Sequence, residues 1–203
     1  LTLLYHDYRR GLRSGYAKFE TFPIWSLPLK HQVNLAYEAA TAELRDVNMV
    51  DHFHLDAYGE RAVNYNRDTE AFPVLRRILE RITGEPSCYR SPTDMGVNMA
   101  GQCISDDEVC RAASKQEVIR RYYKALVHER RDELEPTLSD RIALIMRTLG
   151  IGVEDRPVVG PALETERRTK GPAASLQLPD GTVVTGKTSA LLGSSSALLL
   201  NAL

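Results

Sequence analysis

The sequence YAKFETFPIWSLPLKHQVNLAYEAATAEL (residues 16–44) contains a strand signal, a connector and a helix signal in that order. Its aromatic beginning, residues 16–22, predicts a short strand. Two prolines and Trp25, the single tryptophan, predict a rigid connector before a helix that begins at about Asn34. Apolar residues at helical spacing predict a further helix over residues 1–14. The opening of the chain is therefore predicted to be helix, strand, loop, helix.

Composition places the chain among ordinary globular proteins. The 203 residues are 43% hydrophobic and 26% charged, with a formal net charge of −1. We expect no nucleic-acid partner, because such proteins carry a large basic surface. The apolar segment at residues 189–203 is shorter than the ~20 residues of a membrane-spanning helix, so we expect no membrane partner. Three cysteines without metal-binding spacing and the lack of a visible signal peptide predict a cytoplasmic location.

Hydrophobic periodicity predicts that most of the remaining chain is helical. The predicted helices cover residues 34–44, 68–82, 106–134, 139–149 and 154–170, and an apolar helix over residues 189–203 is expected to be buried. Pro-Asp-Gly between two alternating runs predicts a β-hairpin over residues 174–185. Residues 46–59, DVNMVDHFHLDAYG, have no sustained period and are predicted to form a loop or a broken helix. The predicted fold class is α+β, predominantly α-helical, with one C-terminal hairpin followed by a buried helix.

Three polar residues of the predicted N-terminal strand are candidates for a ligand site. Lys18, Glu20 and Thr21 lie near the end of a strand, where open α/β sheets bind their ligands. A lysine there can hold a phosphate as a point charge. The alternative is a Lys18–Glu20 pair that faces solvent on an edge strand. Under the first interpretation, Lys18→Met is expected to weaken binding while changing the packing little.

A second candidate lies between the predicted hairpin and the last helix. Residues 181–188, GTVVTGKT, match the phosphate-loop pattern GxxxxGK followed by Ser or Thr. The β-branched run inside the match is typical of a strand, which argues against a nucleotide-binding loop. Anion capture by the amides of the helix N-terminus, together with Lys187 and Thr188, is the remaining functional interpretation. The alternative is that Thr188 or Ser189 caps the helix.

A third candidate is the polar cluster DHFHLD at residues 51–56. His52 and His54 could converge on a metal ion if the backbone were extended. The spacing matches no strong metal motif. The alternative is that Phe53 and Leu55 anchor a loop while the polar residues cap helices or face water.

The chain resembles a bacterial family described as domain of unknown function eighteen forty-six. The strings that carry the resemblance are 15–44, 46–59, VNYNRD (63–68), SPTDMGVNMAG (91–101), ASKQEVIRRYY (113–123) and LPDGTVVTGKTSALLGSSSALLLNAL (178–203). They are long and idiosyncratic, and the resemblance covers essentially all 203 residues. It implies a protein that is longer at both ends, with an upstream glycine-rich GSGK segment similar to a phosphate-binding loop. Some members are labelled ATP-dependent peptidases, but this sequence contains neither HExxH nor a serine elbow.

The resemblance also implies a division into three parts. Residues 1–59 would be the remnant of an upstream α/β region, residues 60–171 a helical domain, and residues 172–203 the beginning of a further α/β region. The apolar helical patterns at both ends of the chain favour the same expectation of a segment from a longer polypeptide. The alternative is a complete protein whose terminal helices dock on its own core.

These observations lead to a functional hypothesis and two rivals. The hypothesis is a cytoplasmic enzyme of unknown reaction that binds a nucleotide or another phosphate-bearing small molecule; it names no catalytic residue and no cofactor. The first rival is a non-catalytic helical module that assembles a homo-oligomer. The second is a metal-dependent hydrolase centred on His52 and His54. Convergence of Lys18, Glu20, His54 and Asp94 on one cleft would favour the enzyme.

Overall fold

The computed structural model describes residues 1–18, 21–131 and 137–203. The chain forms two compact units, Leu1–Ile145 and Met146–Leu203. Helices dominate both units, and the two small sheets are two-stranded and antiparallel. The predicted α+β, predominantly helical class is therefore confirmed. The three-part division at residues 59 and 171 stays a prediction.

The first unit contains most of the helices. Its elements are α1 (Thr2–Arg9), α2 (Gln32–Ala40), β1 (Asn48–Val50), α3 (His52–Tyr58), β2 (Val63–Tyr65), α4 (Asn66–Thr83), α5 (Asp107–Arg130) and α6 (Leu138–Leu149), whose last turn enters the second unit. Single turns of 3-10 helix cover Pro92–Met95 and Met99–Cys103. One core cluster packs Leu4 of α1 on Phe72 and Leu79 of α4, with Met95 beside them.

The predicted strand over residues 16–22 is wrong for the described part of that range, residues 16–18 and 21–22, which form no strand. Backbone contact there is limited to single bonds, such as Lys18 N to Met95 O at 2.7 Å. Farther along, Ile24 forms one isolated parallel bridge with Asn98. The segment is held by side-chain burial, because Phe22 and Ile24 are buried. Aromatic residues favour any half-buried extended surface, and pairing depends on a neighbouring strand.

The connector that follows is fastened to α2 by Asn34, which has no exposed surface. Its Oδ1 accepts the Ile24 N–H at 2.8 Å, and its Nδ2 donates to Ile24 O at 3.1 Å. Nδ2 also lies within hydrogen-bonding distance of the carbonyls of Leu27 and Pro28. The helix begins at Gln32, two residues before the predicted start, because His31 caps it by accepting the Val33 N–H.

Residues 46–59 are more regular than predicted. Asn48–Val50 pairs with Val63–Tyr65 as β1 and β2, and His52–Tyr58 forms α3. The Asp51 side chain caps α3, and Gly59 ends it with a φ of 72°. Elements of three and seven residues are too short to show a hydrophobic period, so pairing and caps define them instead.

The second unit contains α7 (Val159–Thr169), β3 (Ala173–Gln177), β4 (Val183–Lys187) and α8 (Ser194–Ala202). The predicted hairpin is confirmed: β3 and β4 pair antiparallel, and Gly181 takes a φ of 89° in the turn. The expectation of a buried last helix is wrong, because Leu198 is the one buried residue of α8 in the described structure. Within the described ranges, no helix is both long and apolar enough to cross a membrane.

Candidate functional site: the Lys18 cleft

Lys18 lies at the centre of the candidate site. Its Nζ donates to Asn64 Oδ1 and to Asp68 Oδ2, each at 2.9 Å. The side chains of the Lys18–Asp68 pair are 6% and 9% exposed. The ammonium also lies 4.7 Å from the centre of the Phe22 ring. A charge this buried is stable only with such partners, because burial removes its hydration.

Beyond Asn64, a chain of hydrogen bonds leads to a buried carboxylate. Asn64 Nδ2 donates to Thr93 Oγ1 at 3.1 Å, and Thr93 Oγ1 donates to Asp51 Oδ2 at 2.6 Å. Asp51 also accepts the backbone N–H groups of Thr93 (3.2 Å) and His54 (3.0 Å). The side chain of Asp51 therefore joins the start of α3 to the turn Pro92–Met95.

Polar side chains from α3 and from the turn Pro92–Met95 surround His54. Ser91 Oγ lies 3.1 Å from His54 Nδ1, and Asp94 Oδ1 lies 4.0 Å from the same nitrogen. The hydroxyl of Tyr58 donates to Asp94 Oδ2 at 3.0 Å. The pKa of Tyr58 is raised, first by desolvation and second by the neighbouring aspartate. A nucleophilic triad needs the serine and the carboxylate on opposite ring nitrogens. Here Ser91 and Asp94 both lie beside Nδ1 of His54. The two residues form a capping box with each other, so this group is structural.

An open cleft of about 450 Å³ lies beside Lys18. Its lining combines polar and apolar side chains: Tyr16, Ala17, Lys18, Arg67, Asp68, Ala71, Phe72, Leu75, Pro92 and Met95. The Arg67 side chain is 46% exposed, and its Nε and Nη2 bind the fully buried carboxylate of Asp46 at 3.0 and 3.2 Å. The cleft is therefore lined by two positively charged side chains, Lys18 and Arg67, that are held in fixed positions by carboxylates of the first unit.

Family models cover nearly the whole chain. Residues 1–150 match the model described as "Domain of unknown function DUF1846, N-terminal", and residues 154–203 match its C-terminal counterpart. The chain belongs to this family. The resemblance read from the sequence strings is thereby confirmed.

Similar curated proteins of the family come from several bacteria. UPF0371 proteins of Corynebacterium efficiens, Corynebacterium urealyticum and Streptococcus thermophilus are 64%, 61% and 57% identical to this chain over 203 residues. Each alignment covers 100% of this chain and 41% of the relative. The chain thus spans about two fifths of the length of the relatives it matches. The names of these relatives state no activity.

The predicted site residues of this family member belong to different units. Lys18 lines the cleft, Thr21 is exposed, and Glu20 lies outside the described residues. Lys187 and Thr188 belong to the second unit. Lys187 ends β4, and Thr188 uses its N–H and its hydroxyl on Pro172 O, both at 3.0 Å. Neither begins the last helix, which starts at Ser194 with Gly193 as its N-cap and no side-chain cap.

Gly186 has a packing role that explains the glycine in the phosphate-loop match. A Cβ at this position would overlap the backbone of Ser194 and Leu198. The glycine therefore lets α8 lie directly on β4. Residues 183–187 are strand, as the β-branched run predicted, and they form no loop around a phosphate.

The histidine cluster does not form the convergent pair of the metal interpretation. His52 and His54 lie in α3, where residues two apart project to different faces. His52 is exposed, whereas His54 is buried against Ser91. Across residues 1–18, 21–131 and 137–203, no group of three or more His, Cys, Asp or Glu could hold a metal ion.

Sequence reasoning missed the partners of Lys18. Asn64 and Asp68 are 46 and 50 residues from the lysine along the chain. Both occur in the string VNYNRD (63–68), which carried the family resemblance but indicated no role. Their spacing on β2 and the first turn of α4 became informative only once the chain was folded.

Proposed function

We propose that the Lys18 cleft binds the anionic part of a phosphate-bearing small molecule, such as a nucleotide. The observation that carries the proposal is a buried lysine ammonium, held by two acceptors, at the wall of an open cleft. Among the described residues, Asn64 and Asp68 use two of its three N–H groups. The third can bind a ligand oxygen.

Fixed geometry supports this proposal. A lysine side chain normally loses much conformational entropy when it binds an anion. The bonds to Asn64 and Asp68 have already fixed Lys18, and the two bonds to Asp46 have fixed Arg67. Asp68 offsets the charge of Lys18, so a site of this kind would select ligands that also offer hydroxyl donors to a carboxylate, as sugar phosphates and nucleotides do.

We also propose a cytoplasmic location, which is supported by three free cysteines. Cys88 and Cys103 are exposed and Cys110 is partly buried. Exposed thiols persist in a reducing compartment.

The structure changes the design of the lysine experiment. Lys18→Met alone would leave the Asp68 carboxylate buried without its cation, a defect that typically costs ~3–5 kcal/mol. The expectation of little-changed packing did not include this electrostatic cost. The comparison uses Asp68→Asn, whose amide oxygen keeps a second acceptor for Lys18, and the double variant Lys18→Met/Asp68→Asn, which differ only in the lysine. Asp68→Asn leaves the buried ammonium without its carboxylate, so circular dichroism must first show that both variants fold.

Calorimetric titration with inorganic phosphate and with nucleoside monophosphates tests the proposal. We expect Asp68→Asn to bind at least as tightly as the wild-type chain, because the offsetting negative charge is gone. The double variant should bind about 10- to 150-fold more weakly, the effect of one charge-assisted contact. Equal affinities of the two folded variants would show that Lys18 contacts no anion. Repeating the titration in the longer Corynebacterium efficiens relative tests whether residues outside the matched 41% complete the site.

A second candidate function is homo-oligomeric assembly. An open groove of about 610 Å³ on α1 and α4 is lined by Tyr5, Pro73, Val74, Arg77, Ile78, Arg81 and Ile82. Val74 is 65% exposed there, and exposed apolar patches of this kind are typical of interaction sites. Sedimentation velocity over a range of protein concentrations tests for self-association.

A further inference from the structure

We infer that Asp51 and Thr93 are positioning residues for Lys18, which they influence by fixing the orientation of the Asn64 amide. The inference rests on the proposed function for its biological meaning. Its geometric content, the orientation of one amide beside one ammonium, can be tested without any ligand.

The direction of every hydrogen bond in the chain is determined by chemistry. An ammonium only donates, so the Asn64 atom at 2.9 Å from Lys18 Nζ must be the amide oxygen. The amide nitrogen then faces Thr93 Oγ1 at 3.1 Å and donates to it. A hydroxyl has one proton, and Thr93 donates it to the Asp51 carboxylate at 2.6 Å. The chain therefore runs in one direction from the cation to the anion.

Asp51 is suited to set this direction because it has no alternative role as a donor. It is completely buried and accepts three hydrogen bonds, from Thr93 Oγ1, Thr93 N and His54 N. While the Thr93 proton is committed to Asp51, Thr93 can only accept from Asn64. The amide must then present its nitrogen to Thr93 and its oxygen to Lys18.

Loss of the carboxylate would release one of the two constraints on the amide; the Lys18 ammonium, which only donates, is the other. Thr93 could then donate to Asn64, and a rotation of the amide by about half a turn would satisfy that bond. The rotated amide would point its NH₂ group at the Lys18 ammonium, and donor would face donor. Lys18 would keep Asp68 as its remaining acceptor within this network and would lose the fixed direction of its third N–H group.

Three variants distinguish the loss of a hydrogen bond in this chain of bonds from a reversal of its donor and acceptor. Thr93→Val removes the hydroxyl but keeps a β-branched side chain, which interrupts the chain. Thr93→Ser restores the hydroxyl and is the rescue variant. Asp51→Asn keeps an oxygen that can cap α3 at His54 N while offering an NH₂ group to Thr93 Oγ1, so it reverses the direction without emptying the site. The same NH₂ group faces the Thr93 N–H, which loses its acceptor.

The measurement is the ¹H–¹⁵N NMR signal of the Lys18 ammonium and of the Asn64 side-chain amide in the ligand-free chain. Thr93→Val and Asp51→Asn should shift or broaden both signals, and Thr93→Ser should return them to the wild-type positions. The backbone amide spectrum identifies any variant that has lost its fold; for such a variant, the comparison rests on the other two. Unchanged Lys18 and Asn64 signals in folded Thr93→Val and Asp51→Asn would overturn the inference.

A parallel titration with inorganic phosphate separates the inference from the proposed function. We expect Thr93→Val to bind phosphate about three- to tenfold more weakly than Thr93→Ser, the effect of one misdirected hydrogen bond. Altered ammonium signals in a chain that never binds phosphate would support the positioning role and contradict the proposed function. Phosphate binding with unaltered ammonium signals would contradict the positioning role and support the proposed function.

Discussion

Asn34 shows how much a single buried amide contributes in this fold. It joins α2 to both backbone groups of Ile24, and its own carbonyl accepts the Asn48 Nδ2 at 2.8 Å. Asn34→Ala would leave the buried N–H of Ile24 without its acceptor, and Ile24 O would be left with the N–H of Leu27 at 3.3 Å. We expect a loss of about 2–4 kcal/mol in the free energy of unfolding, measured by urea denaturation.

Asn66→Ala is the matched control, because Asn66 Oδ1 accepts a single exposed bond from Val47 N at 2.8 Å. Its loss should be no larger than about 1 kcal/mol. Equal losses in the two variants would show that the Asn34 bonds do not hold the connector.

Glu38 predicts how stability depends on pH. Burial raises the pKa of its carboxyl group, an effect that the hydrogen bond from Asn48 N at 3.0 Å only partly opposes. A pKa raised by folding means that stability is highest while the group is protonated and falls as the pH rises through the folded value. Glu38→Gln keeps an acceptor for Asn48 and removes the charge.

We therefore expect Glu38→Gln to melt at a higher temperature than the wild-type chain at pH 7. The difference should shrink as the pH falls through the raised pKa of Glu38 and should be gone below 4.5, the ordinary pKa of the group. Thermal unfolding followed by circular dichroism across this range measures it. A constant difference at all pH values would mean that the substitution acts through packing.

The residue roles at the site could not be read from the sequence for a physical reason. Asp51, Asn64 and Thr93 are polar, and polar residues in a sequence ordinarily indicate solvent or a cap. Their burial depends on partners 29 and 42 residues away. Lys18 was singled out on the expectation of a strand, which the described residues do not form.

At the scale of elements, Gly186 controls the contact between α8 and β4. Gly186→Ala would place a Cβ against the backbone of Ser194 and Leu198, and backbone cannot move aside as a side chain can. Overpacking of this kind costs about 1–3 kcal/mol. We expect α8 to be displaced, which native-state hydrogen exchange of residues 194–202 would detect as lost protection.

Gly160→Ala in α7 is the control for that change. No atom lies within 4 Å of its added Cβ, and alanine favours a helix over glycine by about 0.5–1 kcal/mol. This variant should be unchanged or slightly stabilised. Faster exchange in α8 of both variants would show that the loss of protection is not specific to the contact at Gly186.

The long elements were predictable because each repeats a pattern several times. Helices α4 and α6 follow the hydrophobic period, α5 begins next to its predicted start because Asp106 caps it, and the Pro-Asp-Gly turn places the hairpin within two residues at each end. Pro73 does not interrupt α4, which begins seven residues before it. The sequence did not predict β1, β2 and α3. These elements are too short to repeat a hydrophobic pattern, so caps and strand pairing determine them instead.

At the scale of the whole molecule, the two units raise different questions. The Lys18 cleft lies within Leu1–Ile145, whereas Lys187 and Thr188 lie within Met146–Leu203. The relatives contain more chain than the aligned 41%. The cleft is therefore a candidate site of the first unit alone, and any contribution from residues outside the aligned part is a matter for the longer relatives.

The apolar groove on α1 and α4 carries the last prediction. If a second copy covers this groove, Val74→Gln/Ile78→Gln should weaken self-association. Each substitution would act twice in a symmetric dimer, and burying one such side chain contributes about 1.5–3 kcal/mol. The dissociation constant should therefore rise by about tenfold or more.

Val109→Gln/Val127→Gln is the matched control, because both valines are exposed on α5, at 63% and 47%, and neither lines the groove. Sedimentation velocity on the wild-type chain and the two variants, from micromolar to hundreds of micromolar, decides the outcome. A wild-type chain that stays monomeric throughout would contradict assembly through this chain. Equal weakening by both pairs would show that association is non-specific, because a defined interface must respond to the groove residues and ignore exposed valines elsewhere.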